Sequence, residues 1–249
     1  LVAIACASNF SGTIHPVEKI IRLSHAAGAQ VFLDAVHYAP HAPLSVEEWD
    51  CDFLVCSAYK FFGPHVGLLW GKRRWMEELP AYKVRPAGDS SPDRWMTGTQ
   101  NHEGIAGTLA AIDYLAGLSC AGGPPANRRE ALLETWKLVA EYERDLLGRL
   151  LDGLAGVEGL KVWGITDPSR QQERVPTVSF TIEGCPSAEI DRHLASRGIF
   201  AWSGNFYAQP LSEALGLEPD GAVRVGLLHY NTAGEVDRLI AALQEFAGG

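Results

Sequence analysis

Lys60 stands between an apolar run, "DFLVCSA", and a Phe-Phe-Gly-Pro turn. An ammonium group is costly to bury and seldom closes a core strand by accident. Asp34 ends an earlier apolar run, "QVFLDAV", and Ser57 precedes the lysine by three positions. A strand-end lysine beside a strand-end carboxylate is what Schiff-base chemistry with pyridoxal phosphate requires. The amine forms an imine with the aldehyde, and the carboxylate keeps the pyridine nitrogen protonated so that the ring draws electrons. The Ser57 hydroxyl suits a phosphate at the same strand end. A lysine that merely snorkels out of a strand end accounts for the spacing too.

Elements must hold these groups in place. "LVAIACAS", "QVFLDAV" and "DFLVCSA" are short apolar runs of the kind that form buried parallel strands, and "VGLLWGK" reads as a fourth strand. Between the first two, "HPVEKIIRLSHAAGA" reads as a helix entered at Pro16, with apolar Val17, Ile20, Ile21 and Leu23, and closed at Gly28. Strand-helix-strand order predicts a mainly parallel α/β sheet covered by helices, with ligands beyond the carboxyl ends of its strands. "RPAGDSSPDRWMTGTQNHEG", residues 85–104, reads as a long loop. "IAGTLAAIDYLAGL" is helical, "CAGGPPA" a break, and residues 128–154 a long amphipathic helix. The tail reads as strand, helix, strand and helix, a small α+β layer. The expected division is a large-domain portion over residues 1–115 and a small C-terminal domain over 116–249.

The 249 residues carry a net charge of -9 and a pI near 5.4. That balance disfavours a nucleic-acid or anionic-membrane partner, and no apolar run approaches the roughly 20 residues of a membrane span. Five cysteines without paired spacing predict no disulfide framework and a reducing cytoplasm. Cys6 and Cys56 read as small core hydrophobes. His37 and His41 with Cys51 and Cys56 fit no standard zinc spacing, so no metal is expected. The first residue is Leu, and "LVAIACAS" lacks the basic flank of a signal peptide. It reads as a strand already under way, and the chain is expected to be a fragment.

Taken together, "SNFSGTIHPVEKI", "DAVHYAPH", "CDFLVCSAYKFFGPHVGLLWGK", "TGTQN" and "GIFAWSGNFYAQPL" resemble the class V aminotransferase family, most of all its cysteine desulfurase/selenocysteine lyase branch. The resemblance runs from about Ala5 to the C-terminus. It implies the pyridoxal-phosphate fold type I: the later part of the large domain, then the small domain, with the first half of the large domain absent. Matched motif by motif, Lys60 is the lysine that forms the aldimine and moves the substrate Cα proton. Asp34 faces the pyridine nitrogen and Ser57 the phosphate. Tyr59 stands where the desulfurases carry a phosphate-touching histidine. Asn9 lies near the ring hydroxyl and the substrate carboxylate. Thr99 reaches the phosphate of the other subunit in a homodimer with shared active sites. Arg224 forks onto the substrate α-carboxylate, as suits a guanidinium.

Two positions depart from the pattern. His37 replaces a glutamine that bonds the ring hydroxyl, and a neutral imidazole can still donate there. Tyr207 replaces the nucleophilic cysteine, with Trp202 in place of a nearby arginine. A phenol cannot carry sulfur as a persulfide, so Tyr207 is either packing or an acid/base group. The resemblance thus implies a pyridoxal-phosphate enzyme acting on an amino acid, with β-elimination favoured over aminotransfer or epimerisation. A non-catalytic dimerisation or regulatory module that keeps the fold is the reading from another class. The fragment alone is expected to bind the cofactor weakly.

Overall fold

The computed structural model describes residues 1–120 and 127–248. It divides into two compact units: residues 1–6 with 16–136, and residues 7–15 with 137–249. The boundary expected at 115/116 falls instead beside Trp136. The reason is local. Thr135 donates its hydroxyl to the Leu115 carbonyl at 2.8 Å and Ser119 donates to that of Ala131 at 3.0 Å. Residues 121–126 of the expected break lie outside the described residues.

In the first unit, strands β1 (Val2–Ala5), β2 (Val31–Asp34), β3 (Phe53–Ser57) and β4 (Gly67–Gly71) form one sheet in that order. β1, β2 and β3 are parallel, as their apolar runs predict, while β4 returns antiparallel to β3. Only a short turn joins β3 to β4, and a parallel return would need a crossover. Helix α1 (Val17–Ala26) lays Val17 and Ile21 on the sheet, leaving Leu23 exposed. The core holds Cys6, Val31, Leu33, Ala35, Cys51 and Leu54. Short helices α2 (Val46–Trp49) and α3 (Arg73–Glu78) follow β2 and β4. Beyond α3 the chain has no regular element until α4 (His102–Gly117), where Asn101 caps the helix by accepting from the Gly104 N–H at 2.9 Å.

Helix α5 (Arg128–Ala155) begins in the first unit and runs on into the second. There, β5 (Leu160–Trp163), β6 (Thr177–Ile182), β7 (Trp202–Gly204) and β8 (Ala222–Gly226) pair antiparallel in the order β5-β6-β8-β7. Helices α6 (Ser187–Ser196), α7 (Gln209–Ala214) and α8 (Ala233–Gly248) complete the unit. Alternation sorts the sheet faces. Val178 and Phe180 pair with Val225 and Val223 and are buried with Leu147, Leu150, Ile190, Leu194 and Leu243. Ser179, Arg224 and Trp202, opposite one another across β6, β8 and β7, line the other face.

Residues 7–15 dock on that unit. Val175 N–H donates to the Gly12 carbonyl at 2.9 Å, Ile14 N–H to that of Glu173 at 2.8 Å, and the Ser179 hydroxyl to that of Phe10 at 2.6 Å. The buried Arg174 guanidinium bonds the carbonyls of Ser11, Thr177 and Ile165. Gly12, at φ +74, leaves no room for a side chain: an added Cβ would lie 2.5 Å from the Thr177 carbonyl oxygen.

Candidate active site

The expected site residues divide between the units. Asp34, His37, Ser57, Tyr59, Lys60 and Thr99 belong to the first, and Asn9, Tyr207 and Arg224 to the second.

In the first unit, Asp34 and Ser57 are the last residues of adjacent parallel strands, so both stand at one end of the sheet. Cys6 N–H donates to the Asp34 carbonyl at 2.7 Å and Ala35 N–H to that of Val55 at 2.8 Å, which keeps the strand ends level. The Asp34 carboxylate accepts from Val36 N–H at 2.9 Å. Its charge adds to the burial that pushes the Cys6 thiol up to about 12, so this cysteine stays protonated and is no nucleophile. After Ser57 the chain turns at once into a 3-10 turn, Ala58–Phe61, which carries Tyr59 and the half-buried Lys60 just past the strand end. The Lys60 ammonium lies 5.3 Å from the centre of the Tyr59 ring, and that ring stacks on His65 at 4.8 Å. Tyr59 therefore offers its ring face to the lysine beside it.

His37 sits in the helical turn after β2, where Ala39 N–H donates to the Ala35 carbonyl at 2.9 Å. Its ring meets His41 edge to face at 6.0 Å. Burial lowers the His41 pKa to about 4, so the ring behind His37 is neutral at physiological pH. Thr99 is exposed on the loop before α4 and is not drawn to the other residues of its unit by any side-chain hydrogen bond among the described residues. A cavity of about 880 Å³ along β4, walled by Met76, Trp95, Ile105 and Leu109, contains none of the candidates.

In the second unit the structure brings Asn9 and Arg224 together: Arg224 Nη1 donates to the Asn9 carbonyl at 2.8 Å. The Asn9 side-chain amide donates to the Phe206 carbonyl, also at 2.8 Å. The guanidinium lies over the Phe206 ring, 4.0 Å from its centre. Burial lowers the Arg224 pKa, and no acidic side chain among the described residues pairs with it. A half-buried guanidinium lacking a carboxylate has donors to spare for an anion. Tyr207 is fully exposed, its N–H donating to Asn205 Oδ1 at 3.2 Å. Phe206 and Tyr207 both take left-handed backbone, φ 55 and φ 62. Bulky residues there cost on the order of 1–2 kcal/mol each.

Phe206 and Asn205 went unmarked in the sequence. Asn205 next to Gly204 was the available turn signal. Nothing local announces the aromatic ring beneath Arg224, because it depends on chain segments far apart in sequence.

The donor set of the first unit fits pyridoxal phosphate. It offers a carboxylate for a pyridinium, a hydroxyl for a phosphate and an amine for an aldehyde, all at one sheet end. The family model for Aminotransferase class-V matches residues 1–239. Over 249 residues the chain is 34% identical to the aminotransferase-like protein FGM3 of Gibberella zeae, a match covering 98% of this chain and 58% of that protein. It is 31% identical over 257 residues to the cysteine desulfurase of Pectobacterium atrosepticum, covering 98% of this chain and 57% of the relative. The apo structure of a cysteine desulfurase from Thermococcus onnurineus NA1 matches all of this chain and 60% of its own, with a TM-score of 0.84 at 24% identity, which speaks for the fold. The chain thus spans little more than half the length of the curated relatives it matches.

Proposed function

The chain belongs to the class-V aminotransferase family, and from that premise we propose that it serves a pyridoxal-phosphate enzyme acting on an amino acid, cysteine desulfurase-like and favouring β-elimination. The observation that carries this reading is the set of Asp34, Ser57 and Lys60 at one end of adjacent strands. Pyridoxal phosphate, when bound, supplies the aldehyde and an electron-withdrawing ring. Lys60 takes the proton from the substrate Cα. Asp34 holds a proton on the ring nitrogen, and Ser57 donates to the phosphate. His37 donates to the ring hydroxyl. Arg224 grips the substrate α-carboxylate through its spare N–H groups. Thr99 completes the phosphate site of a second copy in a homodimer.

Tyr207 separates this chain from a persulfide-forming desulfurase. No cysteine lies on the loop between β7 and α7, and a phenol oxygen cannot accept sulfur. With L-cysteine, elimination therefore ends in sulfide, pyruvate and ammonia. Aminotransfer is the second reading, favoured by the likeness to the fungal aminotransferase-like protein.

Incubation of the chain with excess pyridoxal phosphate, then borohydride reduction and peptide mass analysis, tests the core of the proposal. The expected result is an absorption band near about 410–430 nm and, after reduction, a label concentrated on Lys60. A band that persists in Lys60→Ala, or label spread equally over exposed Lys19 and Lys161, would sink it. Sulfide and pyruvate from L-cysteine support elimination, whereas a keto acid without sulfide supports aminotransfer.

A further inference from the structure

Three residues remote in sequence close a ring of contacts in the second unit. Arg224 donates to the Asn9 carbonyl, the Asn9 amide donates to the Phe206 carbonyl, and the Phe206 ring lies beneath the guanidinium. The turn that presents Phe206 is itself braced. Asn205 accepts from Tyr207 N–H through Oδ1 and donates through Nδ2 to Glu218 at 3.0 Å, and its carbonyl accepts from Ala208 N–H at 2.8 Å. The Phe206 ring also leans on Phe10, centres 5.9 Å apart. This bracing holds two consecutive bulky residues in left-handed backbone, a conformation they do not adopt unaided.

We propose that Phe206 is a positioning residue that, together with the Asn9 carbonyl, locks Arg224 in the orientation that receives a carboxylate. The proposal rests on the reading of Arg224 as the carboxylate group of the site. A guanidinium is a rigid plane with five donors. One N–H is tied to Asn9 and one face is covered by the ring, so Nε and Nη2 remain for a two-pronged grip. A long arginine left loose loses rotamer freedom when it binds, whereas a stacked one has already lost it. The ring face also attracts the cation more strongly where water is partly excluded, as it is around Arg224.

The test compares three variants of the chain. Phe206→Tyr keeps the ring and Phe206→Leu keeps apolar bulk without a π face. Phe206→Gly removes the ring but is at ease in the left-handed turn, which guards against loss of fold. The probe is L-alanine, followed through the backbone amide signals of the Asn205–Ala208 turn beneath the guanidinium, which every variant retains. In parallel, the rate at which phenylglyoxal modifies Arg224 reports how firmly the guanidinium is held. Wild type and Phe206→Tyr should bind alike. Phe206→Leu and Phe206→Gly should bind about five- to tenfold more weakly, with Arg224 modified several-fold faster.

Arg224→Gln should abolish binding. Equal binding and equal modification in Phe206→Leu and wild type overturn the positioning role. L-alanine binding indifferent to Arg224→Gln overturns the carboxylate reading instead, and the modification rates then decide the lock alone.

Discussion

At the scale of single residues, titration is set by who surrounds each group. Glu143, on α5, is 3% exposed, and burial pushes its carboxyl up to about 9 although the His229 backbone N–H bonds it. The folded chain therefore keeps a proton that the unfolded chain releases above about pH 4.5. Its contribution to stability is complete below that value and drains away as pH rises toward 9. Glu143→Gln should raise stability by about 1 kcal/mol at pH 5 and by roughly 4–5 kcal/mol at pH 8, read from urea unfolding. An equal loss at both pH values would show that the carboxyl matters for contacts rather than for its proton. The candidate residues Asp34, Ser57 and Lys60 were legible because apolar runs mark where a strand ends. Glu143 was hidden among the charges expected on the solvated face of a helix, since helical periodicity does not say what packs over each turn.

At the scale of elements, the start of β3 is fixed by a buried carboxylate. Asp52 accepts from Val31 N–H at 2.9 Å and Trp75 Nε1 at 2.7 Å, with His25 Nε2 at 2.8 Å and Arg74 at 3.3 Å. Burial raises its pKa, but the Trp75, Val31 and His25 hydrogen bonds and the Lys72 charge outweigh it, so the carboxyl is held well below its usual range. A depressed carboxyl stabilises above its unfolded pKa, and that stability is lost as pH falls. Asp52→Ala should cost about 3 kcal/mol at pH 7, shrinking as the medium is acidified. A cost independent of pH would overturn this account. The strands β1, β2 and β3 and helices α1, α4, α5, α6 and α8 could be read from apolar patterning. β5 and β7, four and three residues long, could not, because alternation needs more length to stand out. The antiparallel turn of β4 was equally silent, as a run of apolar residues carries no direction.

At the scale of the whole molecule, the chain visits the second unit twice, first with residues 7–15 and again from residue 137 onward. Gly12 and Gly28 share φ +74 and differ in surroundings. Gly28→Ala meets open space and should cost about 1 kcal/mol. Gly12→Ala adds a collision with the Thr177 carbonyl and should cost at least twice that, about 2–4 kcal/mol, by denaturant unfolding. Equal costs would mean that the segment is not seated as described. The resemblance of the motifs reached the family, but no pattern within residues 7–15 disclosed which unit they join. Two partners of that segment lie more than 160 residues downstream: Ser11 waits for Arg174, and Asn9 for Arg224. During synthesis the ribosome must therefore deliver the stretch through Arg224 before Asn9 finds its place. Until then the segment emerges without its seat and stays open to chaperones and proteases. Residues 173–224 decide when residues 7–15 are safe.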